Sequence, residues 1–257
     1  MGKKKVTPIY RPLRWLVKTV YPKIEAVEPE AIPDEPVILV GNHSQLHGPI
    51  SCEFYAPGEH YTWCAGEMMA LKEVPGYAFK DFWSQKPRYT HWFYRIASYV
   101  IAPLSVLVFN NANTIGVYRD ARILSTFKST VEHLQEGENV VIFPEQDIRR
   151  NHVVYQFQER FVDVARLYYR RTGKELAFVP MYIAPKLKKM YFGEPIRFNA
   201  ESPIEEERTR ICEYLMDAIT EIAEALPEHT VVPYRNIPKK LYPSNKLTEE
   251  ENEEARS

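Results

Sequence analysis

Apolar and polar positions follow two periods along this chain, and the switches between them mark out its elements. Val37-Ile38-Leu39-Val40 is an apolar, β-branched-rich run. It predicts a short buried strand stopping at Gly41-Asn42. Residues 50–56 read as a short helix, with Gly48 as N-cap and Pro49 first in the helix. Residues 61–65 predict a second strand, and 66–73 begin a helix that Pro75-Gly76 ends or kinks. A strand over 115–119 follows. Ile123, Leu124, Phe127, Val131 and Leu134 then recur at helical spacing, closed by Gly137. The run from Asn139 to Phe143 is another buried strand, with Glu145 at its carboxyl end. Residues 155–171 predict an amphipathic helix, 176–183 and 190–196 two strands, and Ser202 opens a capped helix reaching about Leu226. Such alternation predicts an α/β fold: a mixed, largely parallel sheet flanked by helices.

The N-terminal pattern stands apart. Leu13, Leu16, Val17 and Val20 share one face of a predicted helix over 9–24, with Arg11, Arg14 and Lys18 flanking and Tyr10, Trp15 and Tyr21 interleaved. One reading lays this helix on an anionic leaflet, each cation adding about 1 kcal/mol. The other packs it on the domain with its cations in solvent. Residues 96–109 hold fourteen uncharged residues around Pro103. That is too short to span a bilayer as a straight helix. It suits a re-entrant or interfacial hairpin, or a buried core helix kinked at Pro103. The expected organisation is a basic membrane-facing segment and linker over 1–35, one domain over 36–226 with a hydrophobic insertion at 81–114, and a charged, Pro-containing tail over 227–257, disordered from about 249.

Charge and cysteines narrow the classes. The 257 residues carry a formal net charge of −1, which argues against nucleic acid as a partner. Residues 1–24 nonetheless contain seven Lys or Arg and no acid. Cys52, Cys64 and Cys212 are few and widely spaced, which suits a reducing compartment without a disulfide or metal framework. No apolar run with a small-residue cleavage site opens the chain, so no signal peptide is expected.

The candidate chemistry sits after the first strand. Asn42-His43 occupies a strand-to-helix loop at the carboxyl edge of the sheet, where open α/β folds hold ligands, and His43 suits a general base. His43 and His47 are spaced like metal ligands. No Glu follows the first of them and the helix is expected to begin after both, so no metal is assigned. Cys52 reads as part of an apolar helix face, and the remaining histidines share no spacing.

These residues resemble the glycerolipid acyltransferases, the lysophosphatidate and glycerol-3-phosphate acyltransferases with an HxxxxD motif. Asn42, His43 and Pro49 match the first motif, with Gly48 where that family has Asp. The strand ending in Arg119 resembles the second, Phe143-Pro144-Glu145 the third, and the strand through Val179-Pro180 the fourth. The third departs from the family at Gln146, Asp147 and Ile148, and Arg149 or Arg150 stands in for its cation. The resemblance implies an acyltransferase-like α/β domain in phospholipid biosynthesis, peripheral on the cytoplasmic face of the cell membrane. It would move a fatty acyl group from acyl-CoA or acyl carrier protein, with no bound cofactor, to lysophosphatidate or glycerol-3-phosphate. His43 would be the base, and Asn42, Arg119, Glu145 and Arg149 would hold the acceptor. Gly as an N-cap keeps the helix, whereas the carboxylate that would orient His43 is missing. His47 or Glu67 could orient it instead. The alternative is a catalytically impaired lipid-binding or scaffolding member of the same family, and a metal-dependent hydrolase is a third class.

Overall fold

The computed structural model describes residues 6–28, 31–118 and 120–246. The chain divides into two compact units. One comprises Met1–Pro22 with Tyr61–Thr130, the other Lys23–His60 with Val131–Ser257.

The second unit is built on the most apolar runs of the sequence. Val37–Gly41 forms β2, with every residue buried. Its neighbours are β5 (Asn139–Ile142) and β8 (Ala177–Ala184), both parallel to it. Four-residue runs of Val and Ile suit such a strand because both of its faces are covered. β1 (Glu25–Val27) pairs parallel with β9 (Lys189–Phe192), which runs antiparallel to β8. β10 (Ile196–Arg197) pairs antiparallel with the start of β8. The order is β1-β9-β8-β2-β5. Helices α2 (His47–Tyr55), α6 (Asp163–Thr172) and α7 (Ile204–Ala225) flank this sheet. The fold is therefore mixed α/β with a mostly parallel sheet, as the pattern predicts.

The first unit carries α1 (Tyr10–Val20), the parallel pair β3 (His60–Ala65) and β4 (Thr114–Val117), α3 (Val74–Ala78) and α4 (His91–Asn111). The Thr7 N–H donates to Asn111 Oδ1 at 2.6 Å, tying the start of α1 to the end of α4. Helix α5 (Ile123–Gln135) carries the chain from this unit into the other.

Several expectations change. Residues 155–171 are not one helix. Tyr155–Phe157 is strand β7, hairpinned against β6 (Glu145–Arg150), and α6 begins at Asp163. Backbone pairing with β6 outweighs the helical spacing of Phe157 and Phe161. Pro75 does not end a helix; it lies in the first turn of α3, where its missing N–H costs nothing. Leu124 is expected on the inner stripe of α5 but is exposed. The stretch read as 96–109 belongs to a longer continuous helix with Pro103 inside it, so it is not a hairpin; one face, through Ala102, packs with Met68, Val74 and Ala78. Residues Arg88–Asn111 are long and apolar enough to cross a membrane, and 17% of that stretch is buried within the protein.

Candidate active site

The loop leaving β2 is shaped by two buried side chains. Asn42 is 2% exposed. Its Nδ2 donates to the Ile183 carbonyl at 3.0 Å and to Ser44 Oγ at 2.7 Å, while its Oδ1 accepts the Ile183 N–H at 2.7 Å. This clamps the end of β2 to the end of β8. Glu145, also 2% exposed, lies under the loop. Its Oε1 accepts the His43 backbone N–H at 2.6 Å and its Oε2 accepts the Tyr155 N–H at 2.8 Å. Glu145 and Asn42, expected to hold an acceptor, are thus committed to holding backbone, and the physical reason is burial: a buried amide or carboxylate needs partners.

The loop then turns through Ser44 and Gln45, whose φ angles are +46° and +56°. Consecutive non-glycine residues in the left-handed region are costly, and their position next to His43 fits a functional loop. The helix starts earlier than expected. His47 is its first residue and Leu46 its cap, because the His47 and Gly48 N–H groups donate back to the Ser44 and His43 carbonyls at 3.0 Å each. Gly48 is therefore inside the first turn, not an N-cap. A β-carbon there would stand 2.4 Å from the His43 carbonyl oxygen and 3.0 Å from the Phe143 ring. The position that carries a carboxylate in the resembled motif has no room for one.

His43 is partly exposed as a residue, yet its Nδ1 is buried with no hydrogen-bond partner among the described residues. Phe143 and Tyr234 meet its ring edge-on, with centroids 5.3 and 5.5 Å away. Burial pushes its pKa down to about 4, opposed in part by the Gln45 backbone. The imidazole is neutral at pH 7 and can accept a proton. Among the described residues no side chain bonds Nδ1, and the Gln45 backbone offsets only part of the burial, so it is a weak base. Glu145 moves the other way. Burial pushes its carboxyl up to about 7, opposed by the N–H groups of Tyr155 and His43.

These shifts oppose each other in stability. The His43 value lies below its ordinary 6.5, so its contribution is present above about 6.5 and is lost as pH falls through 4. The Glu145 value lies above its ordinary 4.5, so its contribution is present below about 4.5 and is lost as pH rises through 7. Between about pH 4.5 and 6.5 the slopes cancel, each reaching at most about 1.4 kcal/mol per pH unit. In His43→Asn, stability is expected to fall as pH rises through this window while the parent stays nearly flat. Urea midpoints measured across it check this, and a flat profile in the variant would remove the opposed titrations.

A strap from the chain's end covers the loop. Residues 227–246, read as part of a charged tail, are folded; 249–257 lie outside the described residues. Asn245 and His229 lock the strap's ends together, Oδ1 of Asn245 accepting the His229 N–H at 2.7 Å and its Nδ2 donating to the Ala223 carbonyl at 2.7 Å. The Tyr182 hydroxyl bonds His229 Nε2 at 2.8 Å. Between these anchors the strap presents Tyr234 to His43, and Gln45 Nε2 donates to the Tyr242 hydroxyl at 3.0 Å. Sequence patterning did not single out Tyr234 or Tyr242; an aromatic and Pro-rich stretch without period is the one signal they leave.

Of the remaining candidates, Arg149 is exposed and lines a cleft of about 310 Å³ with Asn151, Gln156, Glu159 and Glu213, in which His43 takes no part. Arg119 lies outside the described residues. Asp120, its neighbour, pairs with Arg122 at 2.9 Å.

No protein-family model matches this chain, and no curated protein matches it. Six chains of solved structures do. One is the crystal structure of the 1-acyl-sn-glycerophosphate (LPA) acyltransferase PlsC from Thermotoga maritima, at a TM-score of 0.47 and 15% identity, covering 83% of this chain and 79% of that one.

Proposed function

We propose that this chain is an acyltransferase moving a fatty acyl group from an acyl thioester, acyl-CoA or acyl carrier protein, to the hydroxyl of lysophosphatidate or glycerol-3-phosphate. One observation carries the reading. The two motif segments that resemble the glycerolipid acyltransferases, 102 residues apart, meet in one hydrogen bond, from the His43 N–H to Glu145. That bond sets a histidine at the carboxyl edge of a parallel sheet. In the reaction His43 takes the proton of the acceptor hydroxyl, the oxygen attacks the thioester carbonyl, and the thiol leaves with a proton. Phe143 and Tyr234 wall the ring on two sides.

A membrane surface supplies the substrates in this reading, with the protein on its cytoplasmic face and a role in phospholipid biosynthesis. Within the first unit, Trp92, Ile96, Tyr99, Val100 and Leu104 are each more than half exposed along α4, as are Trp15, Leu16 and Val20 on α1. Apolar side chains presented at helical spacing suit burial among acyl chains, and the cations of α1 suit anionic headgroups.

A second reading, an impaired lipid-binding member of the same family, is favoured by His43 Nδ1, which has no hydrogen-bond partner among the described residues. The test is turnover of acyl-CoA and lysophosphatidate on anionic vesicles, with flotation of the protein scored in the same samples. His43→Ala is expected to lower turnover about a hundredfold, the low end for a general base, because the imidazolium lacks its carboxylate. Flotation should not change. Equal rates with and without His43 would end the catalytic reading; flotation without turnover in the parent would select the second.

A further inference from the structure

Among the described residues of the second unit, three large apolar side chains are exposed: Leu46 at 68%, Ile148 at 66% and Leu241 at 57%. Single apolar side chains scattered over a surface are ordinary. These three are not scattered. Leu46 follows Gln45 in the loop that carries His43. Gln45 Nε2 donates to the Tyr242 hydroxyl at 3.0 Å and to the Arg235 carbonyl at 3.4 Å, which brings the strap segment containing Leu241 to that loop. The Arg235 guanidinium meets Asp147 at 3.4 Å, and Ile148 is the next residue of β6. The strap is also closed at its neck. The Val231 N–H donates to the Pro243 carbonyl at 2.9 Å and the Asn245 N–H to the His229 carbonyl at 3.0 Å. Residues 238–241 at its tip are exposed, Lys239 and Lys240 among them, and Lys239–Leu241 forms a 3-10 turn. An Ω-loop tied in this way loses little freedom when it docks.

We propose that this rim, with Leu46, Ile148 and Leu241 beside Lys239 and Lys240, is a docking surface for an anionic lipid leaflet, and that it seats the His43 loop on the membrane. It belongs to the second unit and is separate from α1 and α4. The surface stands on exposure, clustering and charge; that lipid reaches His43 across it rests on the acyltransferase reading. Aliphatic side chains suit the boundary between headgroups and acyl chains. Ammonium groups on long stems reach back from that boundary to lipid phosphates. A protein partner suits this rim less, because the cores of protein interfaces are rich in aromatic residues and poor in Lys.

The test places a tryptophan in the full-length protein, as Leu241→Trp or, for control, as Lys174→Trp. Lys174 is exposed and precedes β8, at the sheet edge opposite His43. Each variant is mixed with phosphatidylglycerol vesicles whose acyl chains carry bromine, a quencher of indole emission. The emission added at 241 should be largely quenched, and that added at 174 should not. Lys239→Gln/Lys240→Gln should lower affinity for phosphatidylglycerol vesicles about 25-fold, roughly fivefold for each cation. It should leave affinity for phosphatidylcholine vesicles as it is. Unquenched emission at 241 on vesicle-bound protein overturns the surface and leaves α1 and α4 as the anchor. A protein that binds neither vesicle overturns both. Emission at 241 that changes with protein concentration in the absence of lipid assigns the rim to a second copy of the chain, and so also overturns the proposal. Quenching at 241 in a protein without acyl transfer leaves the surface standing and removes the acyltransferase reading. Acyl transfer with position 241 unquenched does the reverse.

Discussion

Replacing Glu145 by alanine is expected to destabilise the protein by about 3–5 kcal/mol, a large part of a typical domain's stability. The carboxylate accepts two backbone N–H groups, from His43 and Tyr155, in a place that water does not reach. Alanine leaves both donors unpaired at about 1–3 kcal/mol each, and the vacated volume adds to the loss. Relief of the buried charge offsets part of it, since the carboxyl is already pushed up to about 7 by its burial. Glu145→Gln separates the contributions. One amide oxygen can serve one N–H while the amide NH₂ faces the other, so the variant should lose about half as much. Urea unfolding at pH 6, followed by far-UV circular dichroism, measures both. A loss in the alanine variant below about 1 kcal/mol would show that the two N–H groups find other partners.

Gly48→Asp is the second substitution with a large expected effect, and its direction runs against the motif. Restoring the aspartate of the resembled family should cost about 2–4 kcal/mol and gain no activity. The β-carbon would lie 2.4 Å from the His43 carbonyl oxygen. Backbone cannot yield there as a flexible side chain would. His43, Ser44 and Gln45 must shift, and with them the hydrogen bonds to Glu145 and Tyr242. Gly48→Ala should show most of the same loss, because the clash belongs to Cβ and not to the carboxylate. Thermal melts of the two variants decide this. An aspartate variant as stable as the parent, with faster acyl transfer, would mean that the loop opens to admit the carboxylate.

The scaffold was more legible than the roles of its side chains. Val37–Val40, Val140–Ile142 and the run through Phe178 stood out because a strand covered on both faces leaves a continuous apolar signature. His43 at the strand end followed from the same signature and the Gly41-Asn42 turn. The hairpin Glu145–Phe157 is hidden, since Phe157, Phe161 and Val164 happen to sit at helical spacing and β7 is only three residues long. Asn42 spends its amide on Ile183, 141 residues away, and no local pattern announces such a contact. Gly48 looked like a helix cap from its neighbour Pro49. Its true constraint is a carbonyl oxygen that only the folded loop brings near. Tyr234 arrives from a stretch without period.

The left-handed pair Ser44-Gln45 narrows what this loop can become. β-branched residues are excluded there by backbone shape alone. Asn42 and Glu145 are held by equally structural demands, each being buried and fully engaged. Selection for folding is therefore enough to preserve most of the motif's letters over evolutionary time, whether or not acyl groups are moved. The imidazole of His43 is different: its Nδ1 bonds to nothing among the described residues. Mutational drift at position 43 thus separates descendants kept for chemistry from those kept for shape, and relatives of this chain are best sorted on that residue.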